Sequence, residues 1–97
     1  MAHFVVLGRW TAQGVANYKN TLDRAEAADR LAKSMGGRLV DIYWTLGKYD
    51  FVAIFEAPDD ETMTAVLLKS GAQGNISTAT MRAFDRQAMA TVLAKAG

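Results

Sequence analysis

Cysteine is absent from this chain of 97 residues, histidine occurs once (His3) and proline once (Pro58). Without thiols there is no disulfide framework, no thiolate nucleophile and no cysteine-ligated metal. One histidine forms no cluster for zinc, argues against a His-containing triad and against haem, and leaves no metal and no cofactor to be expected. No charge of one sign dominates either. The 11 Lys+Arg against 10 Asp+Glu leave a net charge of +1, which speaks against a nucleic-acid partner. The longest apolar runs, such as Phe51 to Phe55, are strand-sized, so no membrane span is expected. Met1-Ala2-His3-Phe4 has no basic n-region and leads at once into a strand-like run. With the missing cysteines, this makes the cytoplasm the expected location.

What is present reads as one domain over 1–97: 51% of residues are hydrophobic and 22% charged, with both signs mixed along the chain. Phe4 to Trp10 is rich in β-branched and aromatic residues and predicts a strand. A polar stretch with Asn17, Lys19 and Asn20 follows, with room for a short helical turn. From Thr21 the spacing is helical: Leu22, Ala25, Ala28, Leu31, Ala32 and Met35 share one face. Thr21 is placed to cap this helix and Gly36-Gly37 to end it. Arg38 to Leu46 and Asp50 to Ala57 predict two further strands. The three residues between them, Gly47-Lys48-Tyr49, can join only antiparallel neighbours. Pro58-Asp59-Asp60-Glu61 opens a second helix that turns Met63, Val66 and Leu67 inward and fails at Ser70-Gly71. Asn75 to Phe84 predicts a fourth strand. Asp85 opens a last amphipathic helix with Ala88, Met89, Val92 and Leu93 on its apolar side.

The order β-α-β-β-α-β predicts an α+β, ferredoxin-like fold: a four-stranded antiparallel sheet with two helices on one face, plus a C-terminal helix. The uncovered face should then be polar. Instead the strands are apolar on both sides: Phe51, Ala53 and Phe55 oppose Val52 and Ile54, and Phe4, Val6 and Trp10 oppose Val5 and Leu7. In the second strand Val40, Ile42, Trp44 and Leu46 form one apolar series. Covering about 500 Å² of such surface is worth on the order of 12 kcal/mol gross, less association costs. Sheet-to-sheet pairing into a homodimer, or a higher homo-oligomer, is therefore expected. A C-terminal helix folded back over this face would be the monomeric alternative.

Leu46-Gly47-Lys48-Tyr49-Asp50 resembles the hairpin of the GYD-domain family of small bacterial and archaeal proteins. The likeness continues through Gly8-Arg9-Trp10-Thr11, Gly14, Arg24, Gly36-Gly37, Glu56-Ala57-Pro58-Asp59-Asp60, Gly74-Asn75 and Thr78 to Phe84. It implies a dimeric α/β barrel in which two ferredoxin-like sheets enclose a shared cavity. It supplies an architecture and no mechanism.

Candidate ligand-binding residues follow from chemistry and placement. Trp10, Tyr43 and Trp44 offer aromatic surface; Trp10 and Trp44 serve equally as core or interface anchors. Thr78, Thr80 and Arg82 form a polar row on one side of the fourth strand, suited to a pocket or to an edge strand kept polar against aggregation. Asn17 and Arg24 could orient an anionic or carbonyl group, or cap and brace local backbone. Tyr49 and Asp50 either build the hairpin or border a pocket. No catalytic residue is identified. Three functions compete: binding of a small apolar or aromatic molecule in the inter-sheet cavity, which the pattern favours; a cofactor-independent monooxygenase or isomerase, which the resemblance to dimeric α/β-barrel proteins implies as an alternative; and a non-catalytic assembly or interaction module.

Overall fold

Strict alternation makes β1 (Ala2–Trp10) bury Phe4, Val6 and Gly8 on one side while Val5 and Leu7 stay half-buried on the other. The computed structural model describes residues 1–97. The polar stretch after β1 forms α1 (Ala12–Ala16) and a 3₁₀ turn at Tyr18–Asn20. Thr11 caps α1, accepting the Gly14 N–H and donating to the Gly74 carbonyl at 2.6 Å. Then come α2 (Thr21–Ser34), β2 (Arg38–Trp44), β3 (Phe51–Ala57), α3 (Asp60–Gly71), β4 (Ile76–Ala83) and α4 (Arg86–Ala96). Carboxylate caps begin α3 and α4: Asp59 accepts from the Thr62 N–H and Asp85 from the Ala88 N–H, each at 2.8 Å.

The four strands are antiparallel in the order β2-β3-β1-β4, the α+β ferredoxin-like fold. Register pairs Phe4 with Phe55 and Val6 with Ala53, and these meet Ala32, Met63 and Val66 from α2 and α3 in one core. The other face carries two rows that cross every strand: Tyr43, Val52, Leu7 and Ala79, then Asp41, Ile54, Val5 and Met81. Ala79 and Met81 are exposed and Val5, Leu7, Val52 and Ile54 only half-buried, so this apolar face is bare. The last helix does not shelter it: α4 has no buried residue. The molecule is accordingly long, 50 × 31 × 17 Å. Its radius of gyration of 14.3 Å exceeds the roughly 12.5 Å of a compact chain of this length.

Three details differ from the sequence pattern. Thr21 lies inside α2 instead of capping it; Asn20 precedes the helix and makes no side-chain cap bond, while the Thr21 hydroxyl accepts the Trp44 indole N–H. Leu22, spaced as a core residue, is 64% exposed because it sits in the first turn, beside the edge strand β2. The series Val40, Ile42, Trp44, Leu46 is broken, since a bulge between Leu39 and Asp41 puts Leu39 with Ile42 and Trp44 on the helical face. The strand stops at Trp44, and Leu46 is fully solvated.

Asp29 ties α2 to the edge of the sheet: it accepts the Leu39 N–H at 2.9 Å and lies 2.9 Å from Lys33 Nζ. Lys33 foremost, and then the Leu39 N–H, hold its carboxyl below the usual range against the opposing effect of burial. A carboxylate whose folded pKa is depressed stabilises above its unfolded pKa of about 4 and loses that contribution as pH falls through the folded value. Asp29→Asn should therefore melt below the parent protein at pH 7, with the difference closing as pH drops below about 4; thermal melts across pH 2–7 check this.

Candidate functional site

Between the sheet and its two helices lies a cavity of about 70 Å³, lined by 13 hydrophobic residues out of 17. Trp10 and Trp44 come from the ends of β1 and β2, Ile76 and Thr78 from β4, Thr21 and Arg24 from α2, and Ser70 from α3. Of its polar side chains, Thr21, Arg24 and Trp44 are engaged with the protein. Trp44 Nε1 donates to Thr21 Oγ1 at 2.9 Å. Arg24 donates through Nη1 to the Asn17 carbonyl at 3.0 Å and through Nη2 to the Gly14 carbonyl at 3.4 Å. Arg24 thus braces the chain between β1 and α2. Asn17 is further held by donating Nδ2 to the Gln13 carbonyl. No carboxylate or histidine lines this cavity.

Gly14 is where that bracing meets β4. A Cβ there would collide with the Asn75 carbonyl, and the close approach lets Thr11 donate to Gly74 and Gln13 to the Gln73 carbonyl.

The Gly47-Tyr49-Asp50 hairpin lashes the β2–β3 connection to the end of β1. Gly47 takes φ +104°, a conformation that side chains resist. The Asp50 N–H donates to the Gly8 carbonyl at 2.8 Å, and Asp50 Oδ2 accepts the Trp10 N–H at 2.8 Å, extending the ladder ahead of the first residue of β3. Thr45 closes the turn, donating its N–H to the Asp50 carbonyl and its hydroxyl to the Tyr49 carbonyl. Arg9 lies 5.1 Å and Lys48 5.8 Å from the Tyr49 ring centre.

The ten sequence candidates thus fall in separate places. Trp10, Arg24, Trp44 and Thr78 share the helical-face cavity, with Asn17 joined through Arg24. Tyr49 and Asp50 belong to the hairpin. Tyr43 alone stands on the bare face, where hydrogen bonding to Asp41 and then that carboxylate's charge push its phenol above the usual value. Thr80 and Arg82 face the helices farther along β4, opposite Val6 and Phe4. The Thr80 hydroxyl is buried without a partner. Arg82 lies 5.5 Å from the Phe4 ring and 4.9 Å from that of Phe84, and 3.6 Å from Asp60. Trp44, a core or interface anchor on sequence grounds, packs on the helical side.

Sequence reasoning missed two features. One is the groove between α2 and β2, which depends on the bulge at Val40. The other is an exposed apolar end of the domain, where Val15, Tyr18, Leu22 and Leu46 all stand more than half in solvent. Only the Leu46 of the hairpin and the off-pattern Val15 and Tyr18 hinted at it.

Comparisons with known proteins agree with the architecture. The GYD domain model matches residues 4–93. The chain is 33% identical over 85 residues, 87% of its length and 90% of the relative's, to a Thermus thermophilus protein named "Glutamine synthetase and cystathionine beta-lyase binding protein". Among solved structures, MtbAldR superposes with a TM-score of 0.70 at 10% identity, over 88% of this chain but only 52% of that one. A protein of known structure from Thermus thermophilus superposes with a TM-score of 0.55 at 22% identity, over 88% and 95% of the two chains. Both likenesses concern the fold.

Two substitutions check this geometry by urea denaturation. Asp50→Ala leaves the Trp10 N–H without its partner and should cost about 1–3 kcal/mol, whereas Asp50→Asn keeps an acceptor and should cost less. Gly14→Ala should cost about 1–3 kcal/mol through the Asn75 collision.

Proposed function

The chain belongs to the GYD-domain family, and from that premise we propose that it is a non-catalytic protein-binding module working as a homodimer in the cytoplasm. The observation that carries this reading is the distribution of exposed apolar surface. The bare sheet face crosses all four strands, and a separate apolar patch stands at the end of the domain. A monomer has no use for either. A two-fold axis would pair the sheet faces, with Val5, Leu7, Val52 and Ile54 at the centre. This leaves the end patch, with Val15, Tyr18 and Leu46, for another protein; aromatic and aliphatic anchors of this kind dominate binding energies. The name of the Thermus thermophilus relative supplies the partner class, metabolic enzymes such as glutamine synthetase and cystathionine β-lyase.

The cavity supports a second reading, in which a small apolar or aromatic molecule binds. Its apolar walls and two tryptophans favour that chemistry. The volume of about 70 Å³ is well below the roughly 300 Å³ at which ligand pockets begin, so binding would require the cavity to widen. An oxygenase or isomerase gains little here, because no base faces the cavity.

Purified chain titrated with the glutamine synthetase and cystathionine β-lyase of its own organism should bind at least one of them at micromolar concentration. Tyr18→Asp and Leu46→Asp should each weaken that binding at least tenfold without altering self-association. Absence of binding to both enzymes at about 100 μM, or retention of a stoichiometric small molecule in native mass spectrometry, would overturn this reading in favour of the second. Ile54→Lys, on the bare face, should convert dimer to monomer in analytical ultracentrifugation while the circular dichroism spectrum is kept.

A further inference from the structure

α4 is an amphipathic helix that buries no residue against its own chain; only Gln87, Ala88 and Thr91 border β1 and β4. Met89, Val92 and Leu93 fall at helical spacing on one stripe, and Leu93 is 62% exposed. Arg86 and Lys95 flank the stripe on opposite sides, and α4 contains no acidic residue.

A matching surface exists at the opposite edge of the sheet. An open groove of about 390 Å³ runs between α2 and β2, floored by Leu22, Val40, Ile42 and Trp44 and edged by Glu26 and Asp41. It is apolar within and acidic at the rim, the complement of α4. The groove is long enough to take the helix: eleven helical residues span about 16 Å and the seven of β2 about 23 Å. The strand order β2-β3-β1-β4 places β4, from whose end α4 departs, at the edge farthest from this groove. When two such sheets pack face to face about an axis parallel to the strands, β4 of one protomer comes beside β2 of its partner. The nearest groove for α4 is then that of the second copy.

We infer that α4 of each protomer docks in the α2–β2 groove of the other, a reciprocal clasp that seals the edges of the dimer. The inference rests on the sheet-face pairing proposed above and adds the segment that locks it. Met89, Val92 and Leu93 leave water against Leu22, Val40 and Trp44, while Arg86 and Lys95 face Glu26 and Asp41.

The cysteine-free sequence gives a clean test. Val40→Cys chains mixed with Val92→Cys chains and treated with a short bismaleimide should form covalent heterodimers, in amounts that neither chain forms alone. Truncation after Asp85 should raise the dimer dissociation constant at least tenfold with the fold retained by circular dichroism. Lys95→Glu should weaken the dimer, and Glu26→Lys added to it should restore part of the loss. A dimer that Ile54→Lys disrupts, but that gives no heterodimer cross-link and is indifferent to truncation, overturns the clasp and leaves the sheet pairing standing. A chain monomeric at 100 μM overturns both. Cross-linking only within one chain, in the double variant, overturns the clasp by showing α4 on its own groove.

Discussion

Apolar area removed from water is worth about 25 cal/mol per Å² wherever it lies, yet two helices can remove it from only one side of a four-stranded sheet. α2 and α3 do so with Ala32, Met63 and Val66 over Phe4, Val6 and Phe55. The rows from Tyr43 to Ala79 and from Asp41 to Met81 receive no such cover. The bare face follows from that asymmetry. So does the proposed assembly.

The hairpin that characterises the family is best understood as carpentry. β3 begins at Phe51, while β1 runs on past Gly8 to Trp10, whose N–H would otherwise lack a partner on that side. Asp50 supplies one with a side-chain oxygen and adds a second bond from its own backbone to Gly8. Fixing the exit of β1 in turn fixes α1, which Arg24 and Gly14 anchor to α2 and to the chain entering β4. The Gly and the Asp of that string can thus be explained by backbone geometry and satisfaction, while the Tyr49 ring lies beside Arg9 and Lys48.

Most of the architecture was legible in the residues. Period-two and period-3.6 patterns located every strand and the three long helices, and the double-sided hydrophobicity of Val52, Ile54, Val5 and Leu7 marked the open face. Less of the site could be read. Strand alternation assigns side chains to faces only while the register holds, and the bulge at Val40 interrupts it without any glycine or proline to announce it. Thr21 has the composition of a cap, but it lies one residue too late and its hydroxyl is taken by an indole brought from 23 positions away. The separation of Arg82 from Arg24 likewise depends on pairings across the sheet: β4 aligns Arg82 with Phe4 and Ile76 with Trp10, placing the two arginines near opposite ends.

The free edge of β2 has a consequence of its own. Asp29 occupies the Leu39 N–H and Asp41 the Ile42 N–H, and the bulge twists the strand between them. Those amides are the docking points an incoming strand would need for edge-to-edge growth. With them already satisfied by carboxylates, the β2 edge offers an incoming strand fewer free donors than its length suggests, so the broad apolar face and the strand edge do not invite the same kind of contact.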